Sequence, residues 1–230
     1  MQGASGRLGR AISELAGDDP ALSVRAVSRD AGARLPAADV LIDVSVPDGL
    51  ARSLDIARQQ KLPLVCGTTG LGDEQIDALR TLASEVPVLH ARNFSLGVAA
   101  LARAAGEVAR LLDWDVEIVE AHHRHKRDAP SGTALALGER IAEARERSPE
   151  WSERVAAPGP REPGSIGMAV LRGGSVVGDH SIHFLGEDER IELRHQAEHR
   201  RLFARGALLA ARRLIGRPAA WYSFEEVLWS

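Results

Sequence analysis

The sequence predicts an α/β protein in which a doubly wound parallel sheet is followed by an α+β domain with a mostly antiparallel or mixed sheet. From residue 40 to residue 91, short apolar runs alternate with helical segments, a pattern typical of parallel sheets covered by helices on both faces. From residue 165 to residue 196, three apolar runs are joined only by short turns that contain Gly or Asp, which favours antiparallel pairing.

Composition and charge argue against several classes of protein. The chain has 230 residues, enough for two domains with buried cores, and a formal net charge of −3. This near-neutral balance gives no electrostatic reason to expect nucleic acid or an anionic membrane as a partner. The single cysteine, Cys66, fits a reducing compartment, and no apolar run is long enough to span a bilayer. We therefore expect a cytoplasmic protein.

The predicted elements follow from hydrophobic periodicity and from Gly, Pro and capping signals. Strands are expected at residues 22–27, 40–46, 64–66, 86–91, 116–119, 165–171, 175–185 and 190–196. Helices are expected from the turn at Pro47 to about residue 60, and at residues 73–84, 96–112, 134–146 and 201–215. Residues 148–164 are predicted to form a long loop, and residues 221–230 a short tail.

A glycine-rich turn opens the chain directly before a helical pattern, with the sequence Gly3-Ala4-Ser5-Gly6-Arg7-Leu8-Gly9. Glycines at this spacing permit a tight turn and a close approach of backbone to a pyrophosphate, as in Rossmann-like dinucleotide-binding domains. A glycine triplet alone is also compatible with other functions. The turn should follow a strand, yet only Met1 and Gln2 precede it, so we expect a misplaced start or a truncated first strand.

Two other stretches bear on the cofactor. Ser28 and Arg29 follow an expected strand, where an arginine can hold the 2′-phosphate of NADP, whereas an acidic residue such as the adjacent Asp30 favours NAD. We therefore expect NADPH, with NADH as the alternative. The ends of two later strands carry Gly67-Thr68-Thr69 and Asn93-Phe94, which are expected to line the nicotinamide side of the site. An ordinary turn is the alternative for the Gly67 segment.

The richest chemistry lies in the run Glu120-Ala-His-His-Arg-His-Lys-Arg-Asp-Ala-Pro-Ser-Gly-Thr-Ala134, expected on the loop between a strand and a helix. Its histidines and Lys126 can exchange protons near neutral pH. The helix start presents the N–H groups of Gly132 and Thr133 to an anion. The run therefore predicts a pocket for a small anionic substrate that undergoes proton transfer.

Two other interpretations of this run are open from the residues alone. A basic loop can be a solvated surface. The histidines at 122, 123 and 125 could instead bind a metal, but neighbouring strand residues point to opposite faces and no further ligand motif completes a site.

The histidine-rich run closely resembles the signature of the dihydrodipicolinate reductase family, the 4-hydroxy-tetrahydrodipicolinate reductases of lysine and diaminopimelate synthesis. Further pieces occur in family order over nearly the whole chain. They are Gly-Ala-Ser-Gly-Arg-Leu-Gly, Ile-Asp-Val-Ser-Val-Pro-Asp-Gly, Gly-Thr-Thr-Gly, Asn-Phe-Ser-Leu-Gly-Val, Gly-Ser-Ile-Gly, Arg-Gly-Gly-Ser-Val-Val-Gly-Asp-His and Phe-Ala-Arg-Gly-Ala.

The resemblance implies a dinucleotide-binding domain at residues 1–94 and 206–230, interrupted by a substrate-binding domain at residues 95–205 whose sheet builds a homotetramer. It also implies the reaction, NAD(P)H-dependent reduction of 4-hydroxy-tetrahydrodipicolinate, a cyclic imine with two carboxylates, to tetrahydrodipicolinate.

Residue roles follow from the same resemblance. His122 stands at the proton donor/acceptor position and Lys126 at a proton donor position. The substrate-binding positions are His123, Ser131, Gly132 and Thr133. The cofactor positions are Gly3, Ala4, Ser5, Gly6, Arg7 and Leu8 for the pyrophosphate, Ser28 and Arg29 for the adenosine ribose, and Gly67, Thr68, Thr69, Ala91, Arg92, Asn93 and Phe94 for the nicotinamide and its ribose.

The chain also departs from the family pattern. The segment between Arg29 and Asp39 is far shorter than usual, Ser28 stands where an acidic residue is common, and Arg92 replaces a small residue. Two alternative functions are another two-domain NAD(P) oxidoreductase acting on an amino or imino acid, and a dinucleotide-sensing module. Neither has a reason to keep the proton-transfer residues of the histidine-rich run together.

Overall fold

The structure is a computed structural model that describes residues 1–27, 37–152 and 160–229, and it divides into two compact units. The first unit comprises Met1–Leu96 with Arg200–Ser230, and the second comprises Gly97–His199. One unit contains a parallel sheet and the other a mixed sheet, so the predicted fold class is confirmed. The roles predicted for two domains stay a prediction.

The helices and strands lie close to the predicted positions. The helices are α1 (Arg7–Gly17), α2 (Leu50–Gln60), α3 (Asp73–Ala83), α4 (Leu96–Leu111), α5 (Gly132–Ala144), α6 (Arg201–Leu214) and α7 (Phe224–Trp229). The strands are β1 (Leu41–Asp43), β2 (Leu64–Cys66), β3 (Val88–His90), β4 (Asp115–His122), β5 (Trp151–Ser152), β6 (Ile166–Arg172), β7 (Asp179–Leu185), β8 (Arg190–Gln196) and β9 (Trp221–Tyr222).

The sheet of the first unit has the order β1-β2-β3-β9, with every neighbouring pair parallel. Its strands are mostly apolar because both faces are covered by helices. Leu64 and Cys66 belong to the core that α2 and α3 complete. Val65, which is also buried, points to the opposite face, and α6 contacts the sheet and packs against α1. The predicted doubly wound arrangement is therefore confirmed.

The N-terminal residues lie beside β1, on the edge that β2 does not use. Gln2 forms a parallel bridge with Asp43, and the backbone N–H of Gln2 donates to Ile42 O at 2.8 Å. On the other side of this segment, Val27 N–H donates to Met1 O at 2.9 Å. The two residues before the glycine turn thus stand where the motif requires a strand.

The expectation of a regular strand at residues 22–27 is wrong. These residues have no strand assignment; within residues 1–27, 37–152 and 160–229, their backbone hydrogen bonds to a neighbouring segment are two with Met1, made by Arg25 and Val27. A ladder needs a partner of several residues. The tail is also more regular than predicted, since it forms β9 and α7.

The sheet of the second unit is mixed, with the order β5-β6-β4-β7-β8. Strand β4 pairs in parallel with β6 and antiparallel with β7, whereas β7 and β8 form an antiparallel pair. Strand β4 lies between β6 and β7, so it has both edges hydrogen-bonded, and the sheet is mixed, as predicted. The predicted loop at 148–164 contains β5, and its residues 153–159 lie outside the described residues.

The core of the second unit lies between one face of this sheet and helices α4 and α5. Alternate residues of β4, Val116 and Ile118, face Phe184 and Ile182 of β7 in register. Leu137 and Ile141 of α5 belong to the same core. Within the described ranges, no helix is long and apolar enough to cross a membrane.

A close backbone contact at Gly206 generates a stability prediction. Gly206 lies inside α6, and an ideal Cβ at this position would be 1.7 Å from the carbonyl oxygen of Phe94. We expect Gly206→Ala to destabilise the protein by roughly 1–3 kcal/mol, because the overlap with rigid backbone outweighs the better helix propensity of Ala. Urea unfolding followed by circular dichroism measures the effect.

The matched control for this variant is Gly17→Ala at the end of α1, where an added Cβ meets no atom within 4 Å. This control should be neutral or slightly stabilising. Equal midpoints for Gly206→Ala and the wild type would contradict the packing argument.

Candidate active site

The end of strand β4 brings two predicted site residues together on the core face of its sheet. Alternate strand residues share a face, so Glu120 and His122 continue the row that Val116 and Ile118 begin. His180 of β7 stands directly opposite Glu120. The buried face therefore changes from apolar to polar at this end. The cluster was predicted on a loop, but its first three residues, 120–122, belong to the strand.

The Glu120 side chain is 1% exposed, and four hydrogen bonds surround its carboxylate. Oε2 lies 2.6 Å from His122 Nδ1 and 2.7 Å from Arg172 Nη1. Oε1 accepts from Arg172 Nη2 at 2.7 Å and from the backbone N–H of Ser131 at 2.9 Å. Burial alone would raise the pKa of this carboxyl, but the hydrogen bonds from His122, Arg172 and Ser131 outweigh burial and lower the pKa to about 2. Glu120 is therefore ionised at neutral pH.

Helix α5 begins beside this carboxylate. Ser131 is its N-cap, and the Ser131 hydroxyl accepts a hydrogen bond from Ala134 N–H at 3.1 Å. Gly132 and Thr133 form the first turn, whose N–H groups point out of the N-terminal end of a helix. A Cβ at Gly132 would meet nothing within 4 Å, so there is open space at this end. The first turn contains no acidic residue, which suits an anion.

His180 links the helix cap to the sheet. Its Nε2 lies 3.1 Å from Ser131 Oγ, and the His180 and His122 rings meet edge to face with centroids 5.3 Å apart. Burial, and then the charge of His122, lowers the pKa of His180 to about 4. His180 is therefore neutral at physiological pH and adds no charge beside His122.

The loop after β4 holds the remaining residues that the sequence predicts to bind substrate or donate a proton. The ammonium group of Lys126 contacts both carboxylate oxygens of Asp128, at 2.9 and 2.8 Å. The backbone N–H of Lys126 donates to His123 O at 3.1 Å, and His125 N–H donates to His123 Nδ1 at 3.2 Å. Asp128 O in turn accepts from Arg172 at 2.8 Å. The loop is thus connected to the buried carboxylate through a shared arginine.

In the first unit, the conformation of the glycine turn depends on Gly3. Gly3 has a φ of +82°, and an ideal Cβ there would lie 2.5 Å from Val44 O, so only glycine fits. The turn closes through a hydrogen bond from Gly6 N–H to Gly3 O at 3.0 Å. Helix α1 begins at Arg7, after Gly6, with no side-chain cap and no acid in its first turn. These features fit an anionic cofactor group at this helix end.

The other cofactor positions follow the carboxyl ends of β2 and β3. Gly67 N–H donates to Asp43 O at 2.7 Å, and the Thr68 hydroxyl donates to the buried Asp43 carboxylate at 3.0 Å. After β3, Ser95 N–H donates to the Asn93 side chain at 2.8 Å. Phe94 is buried edge to face against Phe224, whereas Thr69 and Arg92 are exposed.

The predicted residues therefore fall into two sets, one in each unit. The residues predicted to contact the substrate, with Ser131 and His122 hydrogen-bonded to one carboxylate, lie in the second unit, and the glycine turn and strand ends lie in the first. Ser28 and Arg29, predicted to face the adenosine ribose, lie outside the described residues.

Sequence reasoning missed four residues of the cluster. Glu120 and Asp128 lie inside the quoted histidine-rich run, and Arg172 and His180 lie inside the later run Arg-Gly-Gly-Ser-Val-Val-Gly-Asp-His, but none received a role. A signal was present for His180, because it has the same strand phase as the apolar residues 182 and 184. A polar residue in a buried row requires a partner.

A metal site is not formed by the described part of the chain. Within residues 1–27, 37–152 and 160–229, no group of three or more His, Cys, Asp and Glu side chains is arranged to hold a metal ion.

Comparison with family models matches both parts of the chain. Residues 97–228 match the model described as "Dihydrodipicolinate reductase, C-terminus", and residues 25–94 match "Dihydrodipicolinate reductase, N-terminus". Two curated relatives bear the name 4-hydroxy-tetrahydrodipicolinate reductase. The protein of Zymomonas mobilis is 45% identical over 98% of this chain and 94% of its own length. The protein of Xanthomonas campestris pv. campestris strain B100 is 42% identical over 99% and 96%.

The solved structures support the fold. A dipicolinate-bound dihydrodipicolinate reductase from Paenisporosarcina sp. TG-14 matches with a TM-score of 0.79 and 23% identity, over 98% of this chain and 97% of that one. At this identity the likeness concerns the fold alone. The family models, which together span most of the chain, and the two relatives confirm what the histidine-rich run indicated: the chain belongs to the dihydrodipicolinate reductase family.

Proposed function

We propose that this protein catalyses the NAD(P)H-dependent reduction of 4-hydroxy-tetrahydrodipicolinate to tetrahydrodipicolinate, the reaction named for its curated relatives. One observation carries the proposal at the level of the site. His122 and Ser131, the N-cap of α5, are hydrogen-bonded to the same buried carboxylate, that of Glu120. A proton-transfer group and an anion-binding helix end are therefore joined by one side chain.

The substrate carries two carboxylates, and the second unit offers two kinds of group for them. The first turn of α5, at Gly132 and Thr133, has backbone N–H groups and the positive end of the helix dipole. Lys126 supplies a full positive charge, which Asp128 neutralises in this structure. A substrate carboxylate takes the place of Asp128 as the partner of Lys126. His123, whose backbone accepts from Lys126, belongs to the same loop.

The substrate loses its hydroxyl group as water, which gives a conjugated carbon–nitrogen system. Reduction then adds a hydride at the ring carbon that lost the oxygen and a proton to balance the charge, and the proton is the part that this chain's own residues supply. When bound, the reduced nicotinamide supplies the hydride. His122 and Lys126 are the two groups proposed to supply this proton, and a positioned general acid of this kind contributes about 10²–10⁴-fold to the rate.

The first unit is proposed to bind the dinucleotide. The turn at Gly3–Leu8 receives the pyrophosphate, and the strand-end segments Gly67–Thr69 and Ala91–Phe94 receive the nicotinamide and its ribose. We expect NADPH to be preferred over NADH, because Arg29 can pair with the 2′-phosphate and Ser28 stands where an acid would favour NADH. The family resemblance also supports assembly as a homotetramer in the cytoplasm.

The two alternative functions explain less of the second unit. A dinucleotide-sensing module has no need for proton donors. A different amino or imino acid oxidoreductase has no need for His122, Lys126 and the Ser131 cap in one network.

The function predicts a direct enzymatic result. Purified protein should oxidise NADPH when the hydroxylated imine is made in situ from pyruvate and aspartate semialdehyde by its synthase. The decrease in absorbance at the nicotinamide band measures the rate, and omission of the synthase is the control. A folded protein that binds NADPH but shows no synthase-dependent oxidation would favour the sensing module.

The role of Lys126 predicts a loss of turnover in Lys126→Ala. We expect kcat to fall about 10²–10⁴-fold, because the substitution removes both a general acid and the positive charge that pairs with a substrate carboxylate. The Kd for NADPH, measured by fluorescence, should stay unchanged. The control is Arg127→Ala, which removes the same charge from an exposed neighbour. Unchanged turnover in Lys126→Ala would remove this residue from the mechanism.

The cofactor preference predicts a difference in kcat/KM between the two nucleotides. NADPH should exceed NADH by roughly 10–100-fold, the effect of about 1.5–3 kcal/mol from one charge-assisted hydrogen bond. Arg29→Ala should lower kcat/KM for NADPH and leave the value for NADH unchanged, which also serves as the internal control. A clear advantage of NADH in the wild type would refute the preference.

A further inference from the structure

We propose that Glu120, held in place by Arg172, is a positioning residue that fixes the orientation of His122 and makes Nε2 the nitrogen that exchanges a proton with the substrate. This inference deepens the proposed function and rests on it. It concerns two residues without an assigned role in the reaction. Glu120 contacts the proposed proton donor, His122, and Arg172 contacts Glu120.

The tautomer follows from the hydrogen bonds. An ionised carboxylate can only accept, and the pKa of Glu120, lowered to about 2, keeps it ionised throughout the working range. The hydrogen in the 2.6 Å contact between Glu120 Oε2 and His122 Nδ1 must therefore belong to the histidine. Nε2 is left as the nitrogen that gains and loses a proton. On that side stands Gly178, where even a single Cβ would lie 3.0 Å from Nε2.

Arg172 keeps the carboxylate from binding the imidazolium too strongly. Its two terminal nitrogens each contact one Glu120 oxygen at 2.7 Å, so the pair is close to neutral before His122 is protonated. A lone buried carboxylate would stabilise the charged histidine and hold its proton. With Arg172 in place, the carboxylate that orients the His122 ring has a positive partner of its own.

The charges that face His122 come from every neighbouring element. Strand β4 contributes Glu120, β6 contributes Arg172, and β7 contributes His180, which is neutral. The loop contributes the Lys126–Asp128 ion pair, which is linked to Arg172 through the Asp128 carbonyl. Among the described residues, Glu120 is therefore the charged side chain in contact with His122, and Arg172 is the charged side chain in contact with Glu120.

The same carboxylate also fixes the distance between the proton donor and the anion-binding helix end. Its second oxygen accepts from Ser131 N–H, the N-cap of α5, at 2.9 Å. Because both contacts converge on one rigid group, a shift of the helix would disturb His122. Positioning of this kind affects kcat because a misplacement of about 1 Å between reacting groups can cost about 100-fold in rate.

Two substitutions should move the pH profile of kcat in opposite directions. In Glu120→Gln the protonated His122 loses its negative neighbour, so the alkaline limb should move down by about one pH unit, with kcat at neutral pH reduced roughly 10–100-fold. In Arg172→Gln the negative charge is left uncompensated, so the limb should move up. If Glu120 and Arg172 served stability alone, both variants would have a lower melting temperature, but the alkaline limb of the pH profile would not move in opposite directions in the two.

The control is the exposed ion pair between Glu107 and Arg110 of α4, with Nη1 and Oε2 2.6 Å apart. Glu107→Gln and Arg110→Gln remove the same charges and should leave the profile in place. The conservative variant Arg172→Lys should restore a limb close to that of the wild type. If Glu120→Gln fails to fold, the comparison of Arg172→Gln with Arg172→Lys carries the test.

A readout independent of activity separates this inference from the proposed function. In ¹⁵N-histidine NMR spectra of the wild-type protein at alkaline pH, His122 should be protonated at Nδ1 and unprotonated at Nε2. The opposite tautomer, or identical limbs in Glu120→Gln and Arg172→Gln, would overturn the positioning role and leave the reductase function standing. The expected tautomer in a protein without reductase activity would instead overturn the proposed function, and the catalytic part of this inference with it.

Discussion

The second unit is organised by the need to satisfy one buried carboxylate. An ionised Glu120 with 1% exposure would cost several kcal/mol if it had no partners. Its partners come from three places: His122 on the same strand, Ser131 at the start of α5, and Arg172 on β6. Removing any one of them leaves charge or a polar group without a partner in the core. Satisfying the carboxylate therefore holds β6 beside β4 and holds the N-terminus of α5 at the end of β4.

This requirement explains why the apolar core of the second unit ends beside the polar cluster around Glu120. Along β4 and β7 the paired core residues are apolar at one end, as with Ile118 and Ile182, and become Glu120 and His180 at the other. The apolar end gives rigidity through close packing. The polar end continues the same two strands, so His122 and the N-terminal end of α5 are held in fixed relation by Glu120. In the first unit, the parallel sheet does the same for the glycine turn and the strand-end segments.

Local patterns predicted most elements, and their failures have identifiable causes. Helices α2 to α6 and strands β2, β6 and β8 were found within a few residues, because each has a clear periodicity or a capping signal. The segment at residues 22–27 has the composition of a strand, but in the described part of the chain its backbone partner is the single residue Met1, and no strand is assigned there. The insertion of β4 between β6 and β7 was missed, since the strand order depends on contacts between distant segments.

The sequence by itself determined the chemistry that is contiguous in the chain: the histidines and Lys126, the Ser131 cap with the helix it begins, and the glycine turn at Gly3. Each of these depends on residues a few positions apart, for which spacing is sufficient. Only the tertiary structure decided that Arg172, 52 residues from Glu120, neutralises the carboxylate. It likewise decided that His180, 49 residues from Ser131, meets its hydroxyl. Those contacts follow from strand order and register, and register is set by the packing of the whole sheet rather than by any local run of residues.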